Sequence, residues 1–190
     1  MMWDRSETIG LAKQSCSFCE GIGQKPNMRE RPMPCNCVLR AVFRACYARF
    51  RSCVNKEKFM SRVSLIPCKG GMERTRTFAR LDEDYIADFC LVSRRALTPF
   101  DYEVFRNHFL LGADWRLCCR QMQIDRGTFF HALYRIQHKL GRIFREIRPY
   151  SLYPVDEYFA GRVRRKVRVI PIREPQRMSQ PVQPPLRKIA

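Results

Sequence analysis

Apolar residues recur at helical spacing in two stretches of the chain and lose that spacing elsewhere. From 38 to 55, Leu39, Val42, Phe43, Cys46, Phe50 and Cys53 share one face, while Arg40, Arg44 and Arg51 fall on another. A 3.6-residue repeat of this kind predicts an amphipathic helix. The second stretch, 81–148, predicts several. It begins with the acidic turn Asp82-Glu83-Asp84, which suits the positive end of a helix, followed by Ile86, Phe89 and Cys90. A further helix opens with Thr98 as N-cap and Pro99 at the first helical position, places Phe100, Val104, Phe105 and Phe109 on one side, and ends at Gly112. Asp114 caps a short helix from Trp115 to about Met122. Asp125 caps a long one from Arg126 to about Ile147, stopped by Pro149.

The remaining segments lack this periodicity. Residues 1–15 read as a polar lead-in and 16–37 as a loop rich in Cys, Gly and Pro. Residues 56–80, with Pro67 and Gly70-Gly71, read as a charged connector. Tyr150 to Phe159, interrupted by Pro154, reads as an aromatic loop packing back on the helices. From Arg162 onward the chain is basic and rich in Pro and Gln, the composition of an unstructured arm. Val163 to Ile172 alternates weakly and is the one strand-like stretch. No internal repeat is visible.

Charge changes the picture more than length does. Among 190 residues, 36 are Lys or Arg and 18 are Asp or Glu, a formal net charge of +18. Such a field draws polyanions, nucleic acid first among them, since Arg and Lys contacts to phosphate supply most sequence-independent affinity. A solvated basic surface and attraction to an acidic membrane are the alternatives. The first residues form no secretory signal and no apolar run reaches the length of a membrane span, so a cytoplasmic protein with no membrane partner is expected. In a reducing cytoplasm ten cysteines point to metal ligation or core burial rather than disulfides.

Four of these cysteines are grouped. Cys16-Ser-Phe-Cys19-Glu-Gly21-Ile-Gly23 is followed by Pro34-Cys35-Asn-Cys37. A Cys-x-x-Cys pair curls two thiolates onto one metal, the glycines permit the tight turn, and Cys35 and Cys37 complete a tetrahedral four-cysteine set. The expected ion is zinc, in a closed and therefore structural site. Unligated thiols or a redox pair are the alternatives. The first part resembles the Cys-x-x-Cys-x-Gly-x-Gly motif of DnaJ-type zinc domains. Cys46, Cys53, Cys68, Cys90, Cys118 and Cys119 read as buried small hydrophobes, with a stray ligand as the alternative for Cys68, which falls in a loop.

Between Asp101 and Glu146 the chain offers a helix, a break at Leu111-Gly112, a short helix, a tight turn at Gln123-Ile124-Asp125 and a longer helix. A helix that enters the major groove exposes its first turns while its rear face packs. Phe129, Leu133, Ile136, Leu140 and Phe144 make the rear stripe, leaving Arg126, Thr128, Phe130, His131, Tyr134, Arg135 and His138 toward solvent or DNA. Arg126 and Arg135 are long enough for guanine or phosphate, and Thr128 and Phe130 suit a thymine methyl. Tyr102-Glu103-Val104-Phe105, Gly112, Trp115, Ile124, Gly127-Thr128, Leu133, Tyr134-Arg135 and Lys139-Leu140 together resemble region 4 of extracytoplasmic-function sigma factors over about 45 residues. The resemblance implies a helix-turn-helix whose second helix reads DNA, in a domain that also touches the flap of bacterial RNA polymerase. Cys118-Cys119, Phe130 and His131 depart from the family pattern, which implies thiol packing in the core and a sequence preference of the chain's own. There is no room for the sigma domain that melts promoters.

The expected fold is therefore mainly α. A four-cysteine zinc knuckle and its following basic helix occupy 1–55, a linker 56–80, a sigma region 4-like helix-turn-helix domain 81–160, and a basic flexible Pro-rich tail 161–190. In its ingredients the chain is similar to the Q-type late-gene antiterminators of lambdoid phages. The expected function is a DNA-binding transcription regulator, phage or prophage encoded, acting on double-stranded DNA with bacterial RNA polymerase. The alternative is a protein that grips the polymerase flap or a sigma factor without reading bases, which Phe130 and Tyr134 would suit. A zinc-dependent nuclease fits poorly: His108, His131 and His138 are the only histidines, and none belongs to a catalytic metal pattern. No enzymatic activity is expected.

Overall fold

The computed structural model describes residues 3–25, 33–60 and 72–159. The tail from Arg162, the strand-like stretch Val163–Ile172, Cys68, Pro67 and Gly70-Gly71 lie outside them. In chain order the elements are helix α1 (Arg5–Leu11), strands β1 (Gln24–Lys25) and β2 (Met33–Pro34), and helices α2 (Asn36–Met60), α3 (Met72–Ala96), α4 (Pro99–Phe105), α5 (Trp115–Met122), α6 (Arg126–Glu146) and α7 (Val155–Phe159). A π-helical turn, Arg106–Leu110, extends α4. The protein is mainly helical among these residues.

The capped boundaries arise where local chemistry requires them. Thr98 accepts a hydrogen bond from the Asp101 backbone N–H, Asp114 from that of Leu117 at 2.7 Å, and Asp125 from that of Thr128 at 2.9 Å. Each satisfies one orphan donor at a helix start. Gly112 ends the π turn at φ +75°, a left-handed conformation glycine adopts without steric cost. Gln123 takes the same region after α5 at φ 53°.

The two long helices exceed their expected spans. α2 continues to Met60 and α3 begins at Met72, so much of the expected connector is helical. The acidic turn at Asp82 accordingly lies inside α3 and is no N-terminus. Asp82 is buried and accepts from Arg49 of α2 at 3.2 Å, with the Cys53 thiol at 3.2 Å and Lys56 at 3.8 Å. A cross-helix partner, and not a helix dipole, holds this carboxylate.

α2 and α6 form the centre. Their backbones approach closely at Gly141, where a Cβ would stand 2.0 Å from the Leu39 carbonyl oxygen, so no larger residue fits without separating the helices. The α2 stripe and the predicted α6 stripe of Phe129, Leu133, Ile136, Leu140 and Phe144 are all buried. Phe50 stacks on Phe89 of α3 at 4.5 Å, Phe89 meets Phe144 at 5.1 Å, and Phe43 meets Phe109 edge-on at 4.9 Å. Such aromatic pairs add about 0.5–1.5 kcal/mol each beyond their burial. The Tyr47 hydroxyl donates to the Phe109 carbonyl at 3.0 Å, satisfying a carbonyl within the π turn.

The lead-in is also structured. α1 packs its buried Thr8 inward, Trp3 Nε1 donates to Glu146 Oε1 at 3.0 Å, and Arg145 pairs with Glu7 at 2.8 Å. The predicted aromatic loop ends in α7, with Tyr158 edge-on to Tyr85 at 4.9 Å. Trp3, Leu152, Tyr158 and Phe159 thus join the same core as the long helices.

Candidate metal centre and nucleic-acid interface

Cys16 and Cys19 lie on the turn after α1, Cys35 directly follows β2, and Cys37 lies in the first turn of α2. Antiparallel pairing of Gln24 with Pro34 and Lys25 with Met33 folds the two halves together. Left-handed Glu20, Gly21 (φ 85°) and Gly23 (φ 78°) turn the chain between them. Gly23 also lies against α1, where a Cβ would be 2.2 Å from the Thr8 carbonyl oxygen. The four predicted ligands converge, with all four sulfurs within 4.8 Å of one another. Cys16 and Cys35 are 3.8 Å apart, and Cys19 and Cys37 3.6 Å. A tetrahedron with metal–sulfur bonds of about 2.3 Å has sulfur–sulfur edges of about 3.8 Å, so the spacing fits one ion.

The thiols differ in acidity. Hydrogen bonding, led by the Phe18 backbone N–H, lowers Cys16 to about 7. Burial raises Cys35 and pushes Cys37 up to about 12. Four thiolates at neutral pH would require a cation to replace these protons.

α5, the Gln123 turn and α6 present the other candidate surface. Arg126, Thr128 and His131 are exposed at the start of α6. The Arg126 guanidinium lies 5.3 Å from the Trp115 ring and 5.6 Å from that of Phe130. The Thr128 hydroxyl donates to Asp125. Of the other four expected contact residues, Phe130 and His138 are half-buried, while Tyr134 and Arg135 are exposed but engaged by side chains of other helices. Phe130 is half-buried, edge-on to Phe129 at 5.3 Å. Arg135 is bound to Asp101 of α4 through Nε and Nη2. Tyr134 lies under Arg40 of α2, 4.7 Å from its guanidinium. His138 is half-buried, and burial followed by the charges of Arg40 and Lys25 lowers its pKa.

The knuckle and α6 are therefore neighbours. Lys13, Phe18, Cys16, Asn36, Arg40, Tyr134 and His138 border one groove. Lys13 and Phe18 were not singled out from sequence, because nothing local ties them to α6. Arg40 was visible only as part of a basic helix face. Among the described residues, no helix is long and apolar enough to cross a membrane.

The fold and site define a mainly helical protein with a four-cysteine cluster suited to a metal ion. No family model, curated protein or solved structure matches the chain.

Proposed function

We propose that this protein is a zinc-dependent DNA-binding regulator of transcription that reads duplex DNA with the first turns of α6 and works with bacterial RNA polymerase. The observation that carries the reading is the uncovered, Asp125-capped start of α6, set across the Gln123 turn from α5. A helix enters a groove about 12 Å wide only where its leading turns are open. Arg126, Thr128 and His131 meet that condition. The +18 charge supplies sequence-independent attraction to phosphate. Zinc suits a set of four soft thiolates, and a closed site gives it a structural role. An antiterminator-like or activating role in a phage or prophage belongs to the same proposal and rests on the likeness of ingredients.

Docking to the polymerase flap or to a sigma factor, without base reading, is the second reading. Leu111, 68% exposed just before α5, and Leu117, 49% exposed within it, favour it. One experiment separates the two: selection from randomised duplex DNA by the zinc-loaded protein, with and without polymerase, at two salt concentrations. Enrichment of one short motif by the protein alone is expected, with Arg126→Ala costing about 1–3 kcal/mol of affinity for it. Enrichment only in the presence of polymerase would favour docking. An unchanged affinity in Arg126→Ala would remove α6 as the reading helix.

A further inference from the structure

The groove between the knuckle and α6, about 370 Å³, has no Asp or Glu among its lining residues. Arg40 is held there in a fixed position. Its Nε donates to Gln137 Oε1 at 3.0 Å, and its guanidinium lies 4.7 Å from the Tyr134 ring centre. A guanidinium carries five N–H donors, of which the Gln137 bond takes one. Fixing the fork beforehand removes much of the entropy cost of gripping an anion. Lys13 is exposed at the rim.

The electrostatic balance favours an anion. Four thiolates on a divalent ion carry a formal charge of about −2, and Glu20 is the one carboxylate among the described residues at 13–25 and 33–37. Lys13, Lys25 and Arg40 stand around this charge. Arg44 follows one turn along α2, and Lys139 and Arg142 continue α6 past His138. In formal charge these six cations exceed it, and Lys13 and Arg40 are the two that line the groove.

Position points to the same ligand. Thr128 and His138 are ten residues apart on α6, about 15 Å along the helix axis. A helix that lies across a groove about 12 Å wide, with its leading turn on base edges, brings a residue nearly three turns further on to the bordering strand. We propose that this groove is a phosphate clamp, in which Lys13 and the Arg40 fork hold a backbone phosphodiester of the duplex that α6 enters. The inference rests on the DNA-reading assignment of α6. It gives the metal knuckle a direct part in binding, by building one wall of the clamp.

The test is equilibrium binding of the zinc-loaded full chain to a mixed-sequence duplex across a salt series. Lys13→Ala and Arg40→Gln should each lower the slope of log affinity against log salt by about one and weaken binding equally at all sequences. Lys13→Arg should retain the wild-type slope. Zinc content and circular dichroism establish that each variant is folded, and exposed Lys13 carries the test should Arg40→Gln fail to fold. The clamp is overturned if Lys13→Ala leaves slope and affinity unchanged, or lowers them no more than Arg94→Ala at the exposed end of α3. Those results, alongside a loss of sequence preference in Arg126→Ala, would remove the clamp and leave the reading helix standing. A wild-type protein that binds no duplex at low salt would overturn both.

Discussion

Arg135 shows how far a single side chain's role departs from its place on a helical wheel. Spacing alone puts it outward, and its side chain is indeed 55% exposed, yet its guanidinium is bound to Asp101, whose side chain is 2% exposed. The two ends of this pair differ in what happens when the other is lost. Arg135→Ala strands a buried carboxylate and should cost about 3 kcal/mol, the lower end of the range for a fully enclosed pair, because one partner faces water. Asp101→Asn leaves a guanidinium that water can solvate and should cost about 1 kcal/mol. Urea unfolding of the two variants measures the difference. Equal losses, or a larger loss for Asp101→Asn, would show that Asp101 does not depend on Arg135 for its charge. Nothing near residue 135 in the chain indicates this pairing, since the partner lies 34 positions away.

Helix starts were the most legible feature at the scale of elements. Thr98, Asp114 and Asp125 each act within three residues, so their capping is a property of short segments. Asp125 also has a pH signature. Hydrogen bonds from Thr128, side chain first and then backbone, hold its carboxyl below the ordinary 3.8. A depressed folded pKa stabilises above the unfolded value and loses that contribution as pH falls through the folded one. The difference in urea midpoint between wild type and Asp125→Ala should therefore stay constant from pH 7 to about 5 and narrow below about 4. A difference that grows on acidification would contradict the cap. Helix ends without caps were less legible. α2 and α3 run on through charged sequence, and the acidic turn that resembled a helix start is a buried partner for Arg49. α1 depends on Glu146, Arg145 and the approach of Gly23, none of which its own residues reveal.

For the whole molecule, the question is how the knuckle and the aromatic core depend on each other. Phe43, Phe89, Phe109 and Phe144 pack against one another in the ring cluster between α2, α3 and α6, whereas the turns at 14–25, which carry two of the four clustered cysteines, have few buried apolar side chains of their own. Chelating the metal should abolish amide protection at 14–25 and 33–37 and leave α2 and α6 protected, as read by hydrogen exchange. Loss of protection throughout would make the ion a condition for the whole fold. Metal affinity should fall as pH is lowered from 8 to 6, because binding must displace protons from Cys35 and from Cys37, which burial lifts to about 12. A competition titration with a zinc chelator measures this, and an affinity independent of pH would contradict thiolate ligation.

The sequence by itself determined what depends on near neighbours along the chain: the helical class, the caps, the break at Gly112, the buried stripe of α6 and the four cysteines that converge. These follow from periodicity, turn chemistry and short ligand spacing, each set within a few residues. Tertiary structure decided what depends on distant partners. It bound Arg135 to Asp101, set Tyr134 under Arg40, drew α2 against Gly141 and placed the knuckle beside α6. Periodicity shows which face of a helix is polar; only packing decides which polar groups on that face remain open to a ligand.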